Sequence, residues 1–342
     1  MNELIPTPPD PLEREEASAV QPQAPVTLVS TERRQLAMPL LAVVCIYLTT
    51  LLVQKVALLL IRSFAPALMR ESWFLLVMSN TPMYLCGMPL SLLLFRFAKA
   101  SPPPKGRLRF PAFLGLIAIC FCVTIVGSMI STAISSLIER ITGQAPSNEL
   151  QELTVNTPLW ANLLYVAILA PILEEIFFRK LIIDRWRRWG DLPAILLSGL
   201  AFGLIHGNVG QVVYATLVGM VFGYIYLRTG KLRYTVALHI IVNLIGGVFT
   251  TEILKHLDLE ALAEGSAAAI LQNAMPLLCF CGYLCFLLLC FVTAPIALAL
   301  LWRHIRFERG ETRLTAGEWA RVGLLNPAVW LFLGLVVFLF VR

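Results

Sequence analysis

Apolar runs long enough to cross a bilayer recur along almost the whole chain, and nothing else in the sequence constrains the fold so tightly. A helix needs about 20 such residues to span the hydrocarbon, because each residue advances it by about 1.5 Å. Candidate runs lie near 36–61, 72–97, 111–137, 158–184, 192–207, 211–228, 234–254, 275–302 and 327–341. Only helices and closed barrels satisfy their own backbone polar groups in lipid, so the expected fold is all-α: a polytopic transmembrane helix bundle of about nine spanning helices. With 58% apolar and 14% charged residues and a mean hydropathy of +0.77, a water-soluble domain could not cover its surface.

Lysine and arginine near helix ends are retained on the cytoplasmic side. Here they alternate from loop to loop. Arg33 and Arg34 precede the first run; Arg96, Lys99, Lys105, Arg107 and Arg109 lie between the second and third; Lys180, Arg185, Arg187 and Arg188 close the fourth. Arg228, Lys231 and Arg233 follow the sixth, and Arg303, Arg306, Arg309, Arg313 and Arg321 follow the eighth, whereas the intervening loops hold few basic residues. This pattern predicts a cytoplasmic N-terminus. The formal charge of +6 therefore reports membrane orientation, and no nucleic-acid partner is expected, because the basic residues sit at helix ends and not on one soluble face.

Residues 1–34 are rich in proline, glutamate and glutamine without apolar periodicity, which predicts a disordered cytoplasmic tail ahead of a transmembrane domain over 36–342. The first apolar run is too long for the core of a cleaved signal peptide. All eight cysteines fall inside apolar runs, where free cysteine behaves as a small hydrophobe, so no disulfide framework is expected. Cys279, Cys281 and Cys285 lack the paired spacing of a zinc site.

Ionisable residues inside spanning helices cost roughly 2.5 kcal/mol or more each, so their positions are informative. The fourth run, PILEEIFFRK, holds Glu174, Glu175 and Arg179; the fifth, SGLAFGLIHG, holds His206; the seventh, TVALHIIVNL, holds His239 and Asn243. Glu175 and Arg179 are four apart and share a helical face, where an ion pair offsets part of their desolvation. Glu174 is left without that partner and suits the role of proton acceptor from water. Phe202 with His206, and His239 with Asn243, repeat the same spacing on the other two helices. Gly199, Gly203 and Gly207 form a neighbouring stripe without side chains, and Gly219 and Gly223 make a small-xxx-small pair on the sixth helix, which predicts close helix approach.

Depth adds a further constraint. Glu174 lies sixteen positions before Gly190 and His206 sixteen after it, so the two should face each other at one level. His239, nearer its own turn around Leu232, comes out shallower by roughly 13 Å if both turns sit at equal height. Projection of the segment RWRRWGD past the other turn would remove that difference.

Glu174, Glu175 and Arg179 as EExxxR, Phe202 and His206 as FxxxH, and His239 and Asn243 as HxxxN together resemble the CAAX protease and bacteriocin-processing family, CPBP, which includes the Rce1-type prenyl-protein endopeptidases. The motifs run from about 158 to 250, with the similar core expected over about 111–254 and accessory helices at about 275–302 and 327–341. The resemblance implies peptide-bond hydrolysis inside the membrane, with Glu174 and His206 activating water, His239 and Asn243 stabilising the oxyanion, and Glu175 and Arg179 supporting the site. Family members are commonly called metalloproteases, and Glu174, His206 and His239 would suit Zn2+ with an open water position. A metal-free, glutamate-activated water uses the same residues, and both versions stand at this point.

The expected partners are the lipid bilayer and a membrane-anchored protein or peptide substrate. The expected location is a bacterial inner membrane, with the site in its cytoplasmic half. Two other classes compete: a non-catalytic scaffold or bacteriocin-immunity-type protein that keeps the motif residues for structure, and an ion-coupled transporter using the buried acids and histidines as a proton relay. Against the transporter, the chain holds no second copy of EExxxR.

Overall fold

The computed structural model describes residues 25–146, 149–263 and 265–341. The tail expected over 1–34 falls outside them as far as residue 24, and residues 25–34 are helical, opening α1 (Pro25–Phe64) well ahead of the boundary read from hydropathy. Helix α2 follows as Ser72–Pro82, a π-helical turn Met83–Gly87, and Met88–Phe95. Then come α3 (Phe110–Thr142), α4 (Leu159–Trp189), α5 (Asp191–Leu204), α6 (Val209–Thr229), α7 (Leu232–His256) and α8 (Ala274–Trp302). The chain ends in a short α9 (Ala316–Gly323), bent by 62° from α10 (Pro327–Val341).

The fold is an all-α transmembrane bundle. Among the described residues, six helices, α1, α3, α4, α6, α7 and α8, are long and apolar enough to cross a membrane, or seven when α9 and α10 are taken as one bent span. The difference from the nine expected has local causes. Helix α2 stays helical through a π turn after Pro82, and the polar Ser79, Asn80 and Thr81 in its middle make it less apolar than the six. Helix α5 has only 14 residues, fewer than the hydrocarbon thickness demands. Large apolar side chains such as Leu52, Phe64, Leu288 and Leu300 are exposed on the outer faces, where lipid would cover them.

Two apolar cores meet at α6. Ala215, Tyr226 and Leu227 join a cluster with α1, α4, α5 and α10, while Val218, Phe222 and Ile225 join one with α3, α7 and α8. The glycines let α5 and α6 approach as the small-residue spacing predicts. A methyl at Gly203 would lie 2.6 Å from the Val212 carbonyl oxygen and 2.8 Å from the Thr216 nitrogen, and one at Gly219 would lie 3.3 Å from the Gly199 Cα. Backbone cannot yield as a flexible side chain would. Gly203→Ala is therefore expected to cost about 1–3 kcal/mol through overpacking. Thermal unfolding in detergent would register this as a midpoint lowered by several degrees, and an unchanged midpoint would contradict so tight a contact.

The segment after α8 folds back over the α4–α5 turn. Asp191 N donates to Glu308 O (3.0 Å), Glu308 N donates to Asp191 Oδ2 (2.8 Å), and Gly190, at φ 109°, forms an antiparallel bridge with Arg309. Arg187 and Arg228 both reach Glu308, at 2.6 and 3.3 Å, and Arg228 lies 4.0 Å from Asp191. The α4–α5 and α6–α7 turns thus lie side by side, and RWRRWGD does not project past the other turn as the depth argument required. Part of the level difference is taken up inside α4, where the π-helical stretch Ile176–Ile183, between Glu174 and Gly190, fits more residues into each turn.

Candidate active site

Glu175 and Arg179 are fully buried and bind each other through two bonds: Arg179 Nε to Glu175 Oε2 at 3.0 Å and Arg179 Nη2 to Glu175 Oε1 at 3.3 Å. The third face of the guanidinium is used as well. Arg179 Nη1 donates to Ser198 Oγ (3.2 Å), whose hydroxyl donates to the Phe178 carbonyl (3.1 Å). Phe202 and Phe222 flank the guanidinium with ring centres at 5.1 and 5.9 Å, a placement that favours a desolvated cation. Two-point pairing, a hydroxyl acceptor and aromatic walls together satisfy a charge that lipid alone would reject.

His239 extends this network to α7. Its Nδ1 lies 3.1 Å from Glu175 Oε1; the carboxylate held by Arg179 accepts, so Nδ1 carries the hydrogen. The other nitrogen, Nε2, lies 3.7 Å from Glu174 Oε2, too far for a direct hydrogen bond. The imidazole is buried between the Phe202 and Phe222 rings, at 5.8 and 5.2 Å. Glu174 is less enclosed, with 18% of its side chain accessible, and projects away from the Arg179 side of α4.

His206 does not lie within α5, as the apolar run suggested, but in the turn that ends it. His206 N donates to Gly203 O (3.2 Å), and Gly207 takes φ 66°, a conformation that stops the helix. The ring is fixed by Phe202, whose carbonyl accepts from Nδ1 at 2.7 Å and whose ring meets it edge-on at 4.9 Å. With Nδ1 donating, a neutral His206 keeps its lone pair on Nε2. From α1, Tyr47 donates its hydroxyl to the Ile205 carbonyl at 2.7 Å, and Leu339 of α10 packs on Gly207. Sequence reasoning missed Tyr47, as it missed Ser198, because neither carries a local signal of its partner.

Glu174 and His206 line one cavity of about 160 Å³, together with Tyr47, Met83, Phe177, Ile205 and Gln211. The space holds several waters, since one needs roughly 10–15 Å³, and its walls are mainly apolar. The equal-level expectation for Glu174 and His206 thus matches their meeting in one cavity. Glu175, Arg179 and His239 stand behind Glu174. Asn243 is placed differently: its Nδ2 donates to Val166 O at 3.0 Å, on α4 two turns before Glu174.

The fit of zinc follows from the donors themselves. Both imidazoles have Nδ1 engaged and Nε2 disengaged, as metal-bound histidines do. Even so, among the described residues no three His, Cys, Asp or Glu side chains gather closely enough to hold a metal ion. As placed, Glu174, His206 and His239 do not make a zinc site.

Part of the chain is similar to known proteins. The family model described as "Type II CAAX prenyl endopeptidase Rce1-like" matches residues 156–245. That segment is similar to the Rce1-like family. A second similarity is to the "Putative membrane peptidase YdiL" of Bacillus subtilis, 31% identical over 78 residues, which is 22% of this chain and 32% of that protein. The chain thus matches about a third of that relative's length. No solved structure matches the chain. The matched segment lies inside the 111–254 core read from sequence and contains all six candidate site residues, Glu174, Glu175, Arg179, His206, His239 and Asn243. Tyr47 and Met83, on the far wall of the cavity, come from helices outside it.

Proposed function

We propose that the protein is an intramembrane endopeptidase that hydrolyses a peptide bond in a membrane-associated protein or peptide. The observation that carries this reading is the shared cavity, lined by two side chains able to accept a proton, Glu174 and a His206 whose Nδ1 is already engaged by the Phe202 carbonyl. One water donating to both is held and polarised. Glu174 takes its proton as the oxygen attacks the scissile carbonyl, and then returns that proton to the leaving amine, so Glu174 ends each turnover ionised. His239, held through Nδ1 by Glu175, turns Nε2 toward the Glu174 side, where a proton on that nitrogen would let it donate to the developing oxyanion. Asn243 would have to turn from Val166 to take the oxyanion role implied by the resemblance.

The apolar walls suit a hydrophobic segment or a lipid anchor next to the cleaved bond. With the N-terminus cytoplasmic, the basic α4–α5 and α6–α7 turns face the cytoplasm, and the site opens in that half of a bacterial inner membrane. Reconstitution tests the reading: purified protein in lipid nanodiscs, lipid-anchored and plain apolar peptides, and products identified by mass spectrometry. Cleavage of anchored peptides is the expected result, and intact peptides throughout would overturn it. Because the residues do not converge as zinc ligands, cleavage is also expected to survive exhaustive chelation. Loss restored by added zinc would overturn the metal-free mechanism and leave the peptidase reading in place.

A further inference from the structure

Gln211 enters the cavity from the first turn of α6. Its backbone is fixed, because Gln211 N donates to the Asn208 side chain at 2.8 Å in the cap of that helix. Its side chain is not. Oε1 is shielded from solvent and has no hydrogen-bond partner, and among the described residues with such orphaned atoms Gln211 alone lines the space shared by Glu174 and His206. As placed, that buried carbonyl oxygen has no donor, and a turn of the side chain into the cavity would let a bound group supply an N–H to it.

A peptide backbone is the ligand with the right chemistry. Its N–H donates to Oε1, and the Gln211 Nε2 is left to donate to a peptide carbonyl, so one carboxamide matches one peptide unit. The motif amide Asn243 is already committed to Val166, two turns from Glu174 along α4. The charged members of the cluster, Glu175 and Arg179, satisfy each other. We propose that the Gln211 carboxamide binds the substrate main chain, accepting a hydrogen bond from a backbone N–H beside the bond under attack. The proposal rests on the peptidase reading and extends it: recognition runs through the backbone as well as through an apolar anchor.

The test uses the best-cleaved peptide from nanodisc reconstitution, made as a series with each backbone nitrogen methylated in turn. Wild type is expected to lose about ten-fold or more in kcat/KM at one position, because that hydrogen bond is removed. In Gln211→Met, which keeps length and volume, KM for the unmodified peptide rises by a similar factor, kcat changes little, and the methylation penalty at that position disappears. A purely structural glutamine would not couple to one substrate nitrogen. Gln211→Leu provides a second side chain lacking the acceptor if methionine disturbs folding. An unchanged KM with an unchanged methylation profile overturns the role of Gln211 while the peptidase reading stands. Absence of cleavage by wild type removes both.

Discussion

Arg179→Met is expected to destabilise the folded protein by about 3–5 kcal/mol, because it strands the Glu175 carboxylate in the fully buried centre of the bundle. His239 Nδ1, at 3.1 Å, is then the remaining strong donor to that group. The same physics predicts a rescue. In the double variant Glu175→Gln/Arg179→Met no unpaired charge is left, so most of the lost stability should return, and the two changes should be strongly non-additive. Unfolding in detergent, followed by circular dichroism, measures both. Additive losses would show that the pair does not act as a unit. Peptide cleavage should stay low even in the stable double variant, since His239 loses the carboxylate that fixes its ring.

Glu174→Gln is expected to behave in the opposite way. Glu174 makes no direct hydrogen bond to His239 at 3.7 Å and has no arginine partner, so an isosteric amide should leave the unfolding midpoint close to wild type. Cleavage should fall by about 10³-fold or more, because the amide cannot accept a proton from water and removing general-base action costs roughly 10²–10⁴-fold. A variant that stays folded and cleaves at the wild-type rate would remove Glu174 from the mechanism. The pair of experiments separates two neighbouring acids by function: one holds the bundle together, the other does chemistry in the cavity.

The bundle was legible because lipid forces long apolar runs on any spanning chain, and the ion pair because a four-residue spacing puts Glu175 and Arg179 on one helical face. Equal distances from Gly190 were enough to anticipate that Glu174 and His206 share a space. What escaped the sequence depends on backbone detail or on distant partners. His206 reads as part of an apolar helix, yet Gly207 at positive φ ends the helix before it. The π-helical stretch Ile176–Ile183 of α4 has no mark of its own in the apolar pattern and upsets simple depth arithmetic. Tyr47 supports the His206 turn from 158 residues away along the chain, and no periodicity announces such a contact.

Comparison of membrane-protein termini in cells carrying the wild-type chain with cells carrying Glu174→Gln at equal levels tests the central claim most directly. The account predicts a set of new C-termini, next to apolar or lipid-anchored segments, that arises with wild type and is missing with the variant. Identical termini in the two membranes, with both proteins folded and abundant, would contradict it.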